Sequence, residues 1–383
     1  MICKNGITRM ARGTDYHQTP YGIMKRCFYA TTLTFMVALV LTPLAFAQQP
    51  VTPDTEVETK KRGQTGMKFL SVSLDARATA MGGALTAERE GSSNSLFYNP
   101  ASMAGMPGSF NASFGDLQFI TDIHYLSASA AYRPSGGNFG VVGVSVTSVD
   151  YGEFIGTIRA NNDQGFVETG NYSPTALAVG LGYARSFTDR FAAGAQVKYA
   201  YQNIGDDFVT TQNFEEQSGG TFNPDAVLST ESYTKGTLAV DFGIVYHTGF
   251  RSLLIAMSAR NFAGELIYVR ERFELPLTFQ LGASMNLLDF TNLNPDAHSL
   301  MLHVDAQRPR DFEEHVKFGL EYTFMDIISL RGGFEQTVSE EEGVSLGAGL
   351  HHEISGIRVG ADYAYTDWGL FGDVQRIGVN IGF

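Results

Sequence analysis

From Ser109 onward, apolar and polar side chains alternate along the chain. Val316, Phe318, Leu320, Tyr322 and Phe324 share one face of a segment whose other face carries His315, Lys317, Gly319, Glu321 and Thr323. Leu238, Val240, Phe242, Ile244 and Tyr246 likewise oppose Ala239, Asp241, Gly243 and His247. Ile357, Val359, Ala361, Tyr363 and Tyr365 oppose Arg358, Gly360, Asp362 and Thr366. A period of two is the mark of a strand with two unlike faces. It predicts strands at 109–116, 122–133, 138–149, 174–186, 190–202, 233–248, 252–261, 273–288, 298–307, 314–324, 327–338, 343–353, 356–366 and 373–383. The last one ends the sequence on an aromatic, Phe383.

Charged residues keep to one face of these strands. A soluble sandwich would put its polar faces in water and its apolar faces against each other. Strands of about ten to thirteen residues fit a tilted membrane barrel better than a sandwich. Connection lengths point the same way. Residues 134–137, 187–189, 248–251, 325–326 and 353–356 are short turns, whereas 150–173 and 203–232 are long, and the two kinds fall at opposite ends of the strands. Outer-membrane barrels have short periplasmic turns and longer outside loops. The connection at 289–297 is long for the periplasmic end. The fold class is therefore all-β, a transmembrane antiparallel β-barrel of about fourteen strands.

Composition agrees. Mean hydropathy is −0.06, because the lumen-facing half of each strand dilutes the apolar half. Gly (42), Phe (28) and Tyr (17) are abundant, as tilted strands with aromatic girdles require. Past the N-terminal region no apolar run is long enough for a membrane-spanning helix.

The N-terminal region reads as a secretory signal. Lys25 and Arg26 form the positive part, Phe35 to Leu41 lie in the apolar part, and Ala45-Phe46-Ala47 supplies the cleavage site. Residues 1–47 are expected to be removed, with those before Met24 reflecting a start codon placed too early. Both cysteines, Cys3 and Cys27, fall there, so no disulfide or thiolate chemistry is expected afterwards. Removing this segment, with its five Lys or Arg and one Asp, leaves 22 basic against 39 acidic residues, a net charge of −17. Such a charge disfavours nucleic acid as a partner. Residues 48–66 read as a polar periplasmic lead-in.

Residues 67–108 have another character, small and glycine-rich without sustained alternation. The elements Phe69-Leu70, Ala76-Arg77, Ala80-Met81-Gly82-Gly83-Ala84 and Tyr98-Asn99-Pro100-Ala101 stand out, with Glu274-Leu275-Pro276, Asp362-Tyr363-Ala364-Tyr365 and the terminal Phe383 further on. Taken together they resemble the PorV/PorQ family, relatives of the FadL-type transporters. One departure is Ser102-Met103 after Asn-Pro-Ala, where the family more often has Gly-Leu. The resemblance implies a FadL-like barrel over 109–383, with 67–108 as a hatch inside the lumen. Its signature residues are Arg77, Met81, Gly82, Gly83, Asn99, Pro100 and Ala101, and Phe383 is its barrel-assembly signal. Gly82-Gly83 allow close backbone packing, Asn99 before Pro100 favours a turn, and Arg77 suits a lumen carboxylate such as Glu321 or Asp362.

The resemblance also implies a function. Such barrels are components of type IX secretion, binding the C-terminal signal domains of secreted proteins and passing them from a translocon to an attachment complex. Implied partners are the translocon, those secreted proteins, the barrel-assembly machinery and outer-membrane lipid or lipopolysaccharide. Asp206, Asp207, Glu215 and Glu216 make the 203–232 loop acidic and suited to a basic partner patch. The alternative is a FadL-like channel for small hydrophobic molecules, with a wall opening at a kinked strand, for which Gly140 and Gly143 are candidates.

No enzyme chemistry, cofactor or metal is expected. Gly343-Val344-Ser345-Leu346-Gly347 matches a hydrolase pattern but lies within an alternating strand, not at a strand-to-helix turn. His351 and His352 are adjacent on a strand and face opposite ways. Glu340-Glu341-Glu342 reads as a solvated outer tip.

Overall fold

The computed structural model describes residues 65–159, 163–211, 228–267, 272–336 and 343–383. The expected signal segment, most of the lead-in, Glu215, Glu216 and Glu340-Glu341-Glu342 lie outside them.

Fourteen antiparallel strands close into a barrel. They are β1 (Phe110–Gln118), β2 (His124–Tyr132), β3 (Val141–Asp150), β6 (Thr175–Thr188), β7 (Phe191–Thr211), β8 (Leu228–His247) and β9 (Leu254–Phe262), then β12 (Thr278–Asn286), β13 (His298–Pro309), β14 (His315–Phe324), β15 (Ile328–Gln336), β16 (Val344–Ile354), β17 (Ile357–Asp367) and β18 (Asp373–Gly382). Two small hairpins stand apart from the wall, β4–β5 (Phe154–Arg159 and Phe166–Tyr172) and β10–β11 (Leu266–Ile267 and Arg272–Phe273). The barrel closes where β1 meets β18, from Asn111 opposite Gly382 to Gln118 opposite Gln375. Phe383 completes the seam. Its carbonyl accepts from the N–H groups of Ser109 and Phe110, and its ring stacks on Phe110 at 5.2 Å.

Closure satisfies every strand edge, which hydrocarbon demands because it offers no hydrogen bonds. The pleat then sorts side chains. In β3, Val142, Val144 and Val146 face out while Gly143, Ser145 and Thr147 face in. The same holds at β14, where Phe318, Leu320, Tyr322 and Phe324 point outward.

The ends differ. The end holding the start of β1 and the end of β18 has compact turns, such as 189–190 and 355–356. The opposite end carries the β4–β5 hairpin, the 263–277 connection with β10–β11, and the extended β7–β8 pair. Long connections mark the cell-surface side.

The strands depart from expectation at several places. β7 and β8 run to 21 and 20 residues, so part of the expected 203–232 loop is paired strand. β12 begins at Thr278 rather than 273, because Pro276 has no N–H to give a ladder. Gly143 pairs in register with Ala131 and Gly182, so the wall is regular there. The irregularities fall instead between Val240 and Phe242 of β8 against β9, where Asn261 takes a φ of 64°, between Asn203 and Phe208 of β7 against β8, and between Ser186 and Thr188 of β6 against β7.

Residues 65–108 run through the lumen. They form a 3-10 turn at Lys68–Ser71, the helix α1 (Ala76–Ala80), and two more 3-10 turns at Ser93–Phe97 and Pro100–Gly105. Lumen-facing glycines make room for this plug. A Cβ on Gly333 would lie 2.0 Å from the Gly82 nitrogen, and one on Gly319 would lie 2.6 Å from the Met81 Cβ. A Cβ on Gly194 would meet Pro100 and Ala101 backbone at 2.7 Å.

These contacts give a matched test. Gly333→Ala is expected to lower the thermal midpoint in detergent by several degrees, since overpacking costs roughly 1–3 kcal/mol. Gly332→Ala, whose Cβ would meet nothing nearer than the Leu346 side chain at 3.7 Å, is expected to leave it unchanged. Circular dichroism melts of the two variants check this.

Candidate functional site

The plug is held at its middle by a buried charge network. Asp75 begins α1, its carboxylate accepting from the Arg77 N–H at 2.8 Å, and this directs the Arg77 side chain at the wall. There Arg77 grips Glu321 of β14 with two parallel bonds, Nε to Oε1 at 3.0 Å and Nη2 to Oε2 at 2.8 Å. Its Nη1 donates to Glu88 of the plug, and the Tyr98 hydroxyl donates to the same carboxylate. On the wall side, Arg331 of β15 bonds Glu321 at 2.6 Å and Asp362 of β17 at 2.6 Å. Asp362 also accepts from Asn380 at 3.3 Å. Arg77 thus meets Glu321 directly and reaches Asp362 only through Arg331. Glycine makes the last link possible, since a Cβ on Gly349 would sit 2.4 Å from the Asp362 carboxylate and 2.7 Å from Arg331.

Burial sets the electrostatics. Desolvation, outweighing the pull of Arg77 and of the Tyr98 hydrogen bond, pushes the Glu88 carboxyl up to about 7. Desolvation and the neighbouring Glu88 push the Tyr98 phenol well above its ordinary value. For Arg77, desolvation works against the charge but Glu321 and Glu88 outweigh it, so its ordinary value is raised.

The other signature residues are seated nearby. Gly82 and Gly83 have φ of 64° and 76°, a region L side chains enter only with strain, and they turn the chain beneath α1. Met81 is fully buried. Asn99 caps the turn Pro100–Gly105, accepting from Ala101 at 3.1 Å and donating to the Thr86 carbonyl at 2.8 Å. Asp305 of β13 accepts from the Thr86 N–H at 2.9 Å. The acidic pair Asp206 and Asp207 lies on the β7 extension, away from this network.

Between the plug and the outer rim lies a cavity of about 480 Å³. Phe69, Phe119, Tyr125, Tyr151, Phe312 and Trp368 form its apolar wall, and among its charges Lys68 pairs with Asp311 at 2.6 Å and Lys317 with Glu335 at 3.3 Å, while Arg376 donates to the Ser73 carbonyl at 3.0 Å. It is a cup, open outward and floored by plug residues including Gly82 and Gly83.

Ser345 sits in regular β16, its hydroxyl 3.2 Å from that of Thr366. No cluster of metal-ligating side chains occurs among the described residues. Several members of the network, Glu88, Tyr98 and Arg331, escape sequence reading. Their only signal is a charge or hydroxyl on the lumen face or within the small-residue segment.

A closed fourteen-stranded barrel with an apolar outer face and a plugged lumen is the fold of an outer-membrane barrel. Among solved structures, the Ralstonia pickettii toluene transporter TbuX is similar, with a TM-score of 0.53, 14% identity, 81% of this chain covered and 97% of that one. The Pseudomonas putida toluene transporter TodX is similar at a TM-score of 0.52 and 12% identity, with 80% and 96% covered. At such identities these likenesses show the fold alone. Residues 92–370 match the family of type IX secretion system membrane proteins PorP/SprF, and the chain belongs to that family. The family matched is PorP/SprF, whereas the signature residues resemble PorV/PorQ; what the two share is a type IX secretion barrel of the bacterial outer membrane. No protein of curated function matches the chain.

The network predicts two outcomes. Arg77→Ala takes the cation from buried Glu88 and leaves Glu321 with Arg331 alone, and is expected to destabilise the barrel by roughly 3–5 kcal/mol, with Arg77→Met/Glu88→Gln recovering part of it. Urea midpoints in detergent measure both. Because the folded Glu88 value, about 7, exceeds its ordinary 4.5, the fold binds this proton more tightly than the unfolded chain. Its stability contribution is full below pH 4.5 and falls as pH rises toward 7. Glu88→Gln is expected to flatten that slope in urea titrations across this range.

Proposed function

We propose that this barrel is a non-enzymatic secretion component that engages the C-terminal signal domains of secreted proteins at its cell-surface rim, in the manner of the PorV/PorQ proteins its signature resembles. The observation that carries the reading is the filled lumen. Plug backbone lies against wall glycines, as at Gly82 and Gly333, so the surface left for a partner is the outer rim. That rim is tall, because β7 and β8 continue past the wall as a paired extension. Asp206 and Asp207 on the extension, with Glu215 and Glu216 beyond it in sequence, would steer a basic partner patch. Phe383, which seals the seam, is the proposed residue that assembly machinery reads.

A second reading has one observation in its favour. The cup of about 480 Å³ has the size and apolar lining of a small-molecule site, and the neighbours TbuX and TodX are named toluene transporters. In this reading the barrel binds or passes small hydrophobic molecules.

Native purification from outer membranes, followed by mass spectrometry, separates the two. The secretion reading expects a translocon subunit or a secreted protein with a C-terminal signal domain to accompany the barrel. It also expects lysine at Asp206, Asp207, Glu215 and Glu216 to reduce that recovery several-fold. Recovery of the barrel alone, with lipid or hydrocarbon bound, overturns it in favour of the second reading.

A further inference from the structure

Where β7, β8 and β9 face the plug, two cations, Lys198 and Arg260, meet one carboxylate, Asp241. Both oxygens of Asp241 are already engaged. Oδ2 accepts from the Lys198 ammonium at 2.8 Å, and Oδ1 accepts from the Asn261 N–H at 2.6 Å. Arg260 has no carboxylate partner among the described residues. Its Nη1 donates to the Phe97 carbonyl of the plug, while its Nε is buried and meets no acceptor. Gln196 of β7, 2% exposed, donates to the Ser145 hydroxyl at 2.6 Å, and its Oε1 has no partner. A half-turn of that amide keeps the Ser145 bond, since a hydroxyl donates as well as accepts, and turns the idle acceptor into a donor.

Gln196, Lys198 and Arg260 line one chamber of about 40 Å³, with the Ser145 and Thr147 hydroxyls and the apolar plug residues Phe69, Leu74 and Leu96 around them. Such a volume holds a chloride-sized ion or a water or two. Water would answer the hydrogen bonds but not the charge, and a cation held inside protein without a counter-ion is strongly unfavourable. From this excess of positive charge we propose that the chamber is a halide site, in which a chloride ion lodged among Lys198, Arg260 and Gln196 is the counter-ion the chain itself does not supply. The ion fastens the wall to the plug at Phe97. At Arg77 the plug gives the cation and the wall a carboxylate; here the wall gives the cations and the solvent the anion. The assignment is independent of what the barrel engages at its rim or in its cup.

Thermal unfolding of the purified barrel in detergent tests it, with sodium chloride replacing sodium gluconate at constant ionic strength. Gluconate is too bulky for the chamber. The midpoint is expected to rise by a few degrees with chloride and to level off as the site fills, as ligand linkage requires. Arg260→Met removes the unmatched charge and is expected to abolish the chloride dependence. Arg308→Met, at a side chain 76% exposed on the outer face, is expected to keep it. Crystals soaked in bromide give a readout that needs no variant, an anomalous peak in contact with Lys198 and Arg260. A midpoint indifferent to chloride overturns the proposal. So does a rise that never saturates and is equal in the native barrel and Arg260→Met, or a chamber without an anomalous peak in bromide.

Discussion

Everything in this molecule follows from the demand that no backbone hydrogen bond be left open in hydrocarbon. A sheet can meet that demand only by closing on itself. Here the closing pair is β1 with β18, and Phe383 binds back to Ser109 and Phe110 to finish it. Closure creates an interior, and with fourteen strands that interior is too wide for the wall's own small side chains to fill. The 65–108 segment fills it. Its fit depends on wall glycines at which backbone meets backbone, so the glycine richness of the sequence is a packing requirement as much as a conformational one.

Charge is what gives this packing its register. Apolar plug residues such as Met81 and Leu85 would be content at several depths in a glycine-lined tube. The Arg77–Glu321 pair would not, since a displacement of one strand residue would leave two buried charges apart, at a cost of several kcal/mol. Arg331 extends the constraint to Asp362, so three strands, β14, β15 and β17, agree on the position of one plug side chain.

Alternation made all fourteen strands legible because each must present a greasy face to lipid. It failed where that need ends. Beyond Asn203, β7 continues as Ile204-Gly205-Asp206-Asp207 above the membrane, where both faces can be polar and the pattern vanishes although pairing continues. The site was half legible. A lone arginine in a small-residue segment calls for a carboxylate, and the face of Glu321 was readable. The contact between Arg77 and Glu321 does not follow, because they are 244 residues apart and no local rule ties plug depth to strand register. The wider family was legible from short motifs, whereas the match over 92–370 falls to PorP/SprF, a distinction those motifs do not carry.

The plug is also secured at both of its ends, by Asp311 on Thr65 and Lys68 at the outer rim and by Arg133 on Met106 at the inner one. A hatch that swings needs one free edge; this segment is strung like a wire between two posts. Its middle cannot shift aside without slack, and slack can come only from releasing the outer post or opening the β1–β18 seam. Whatever such a barrel does without losing its fold, it does by tension on that wire or at the rim that holds it.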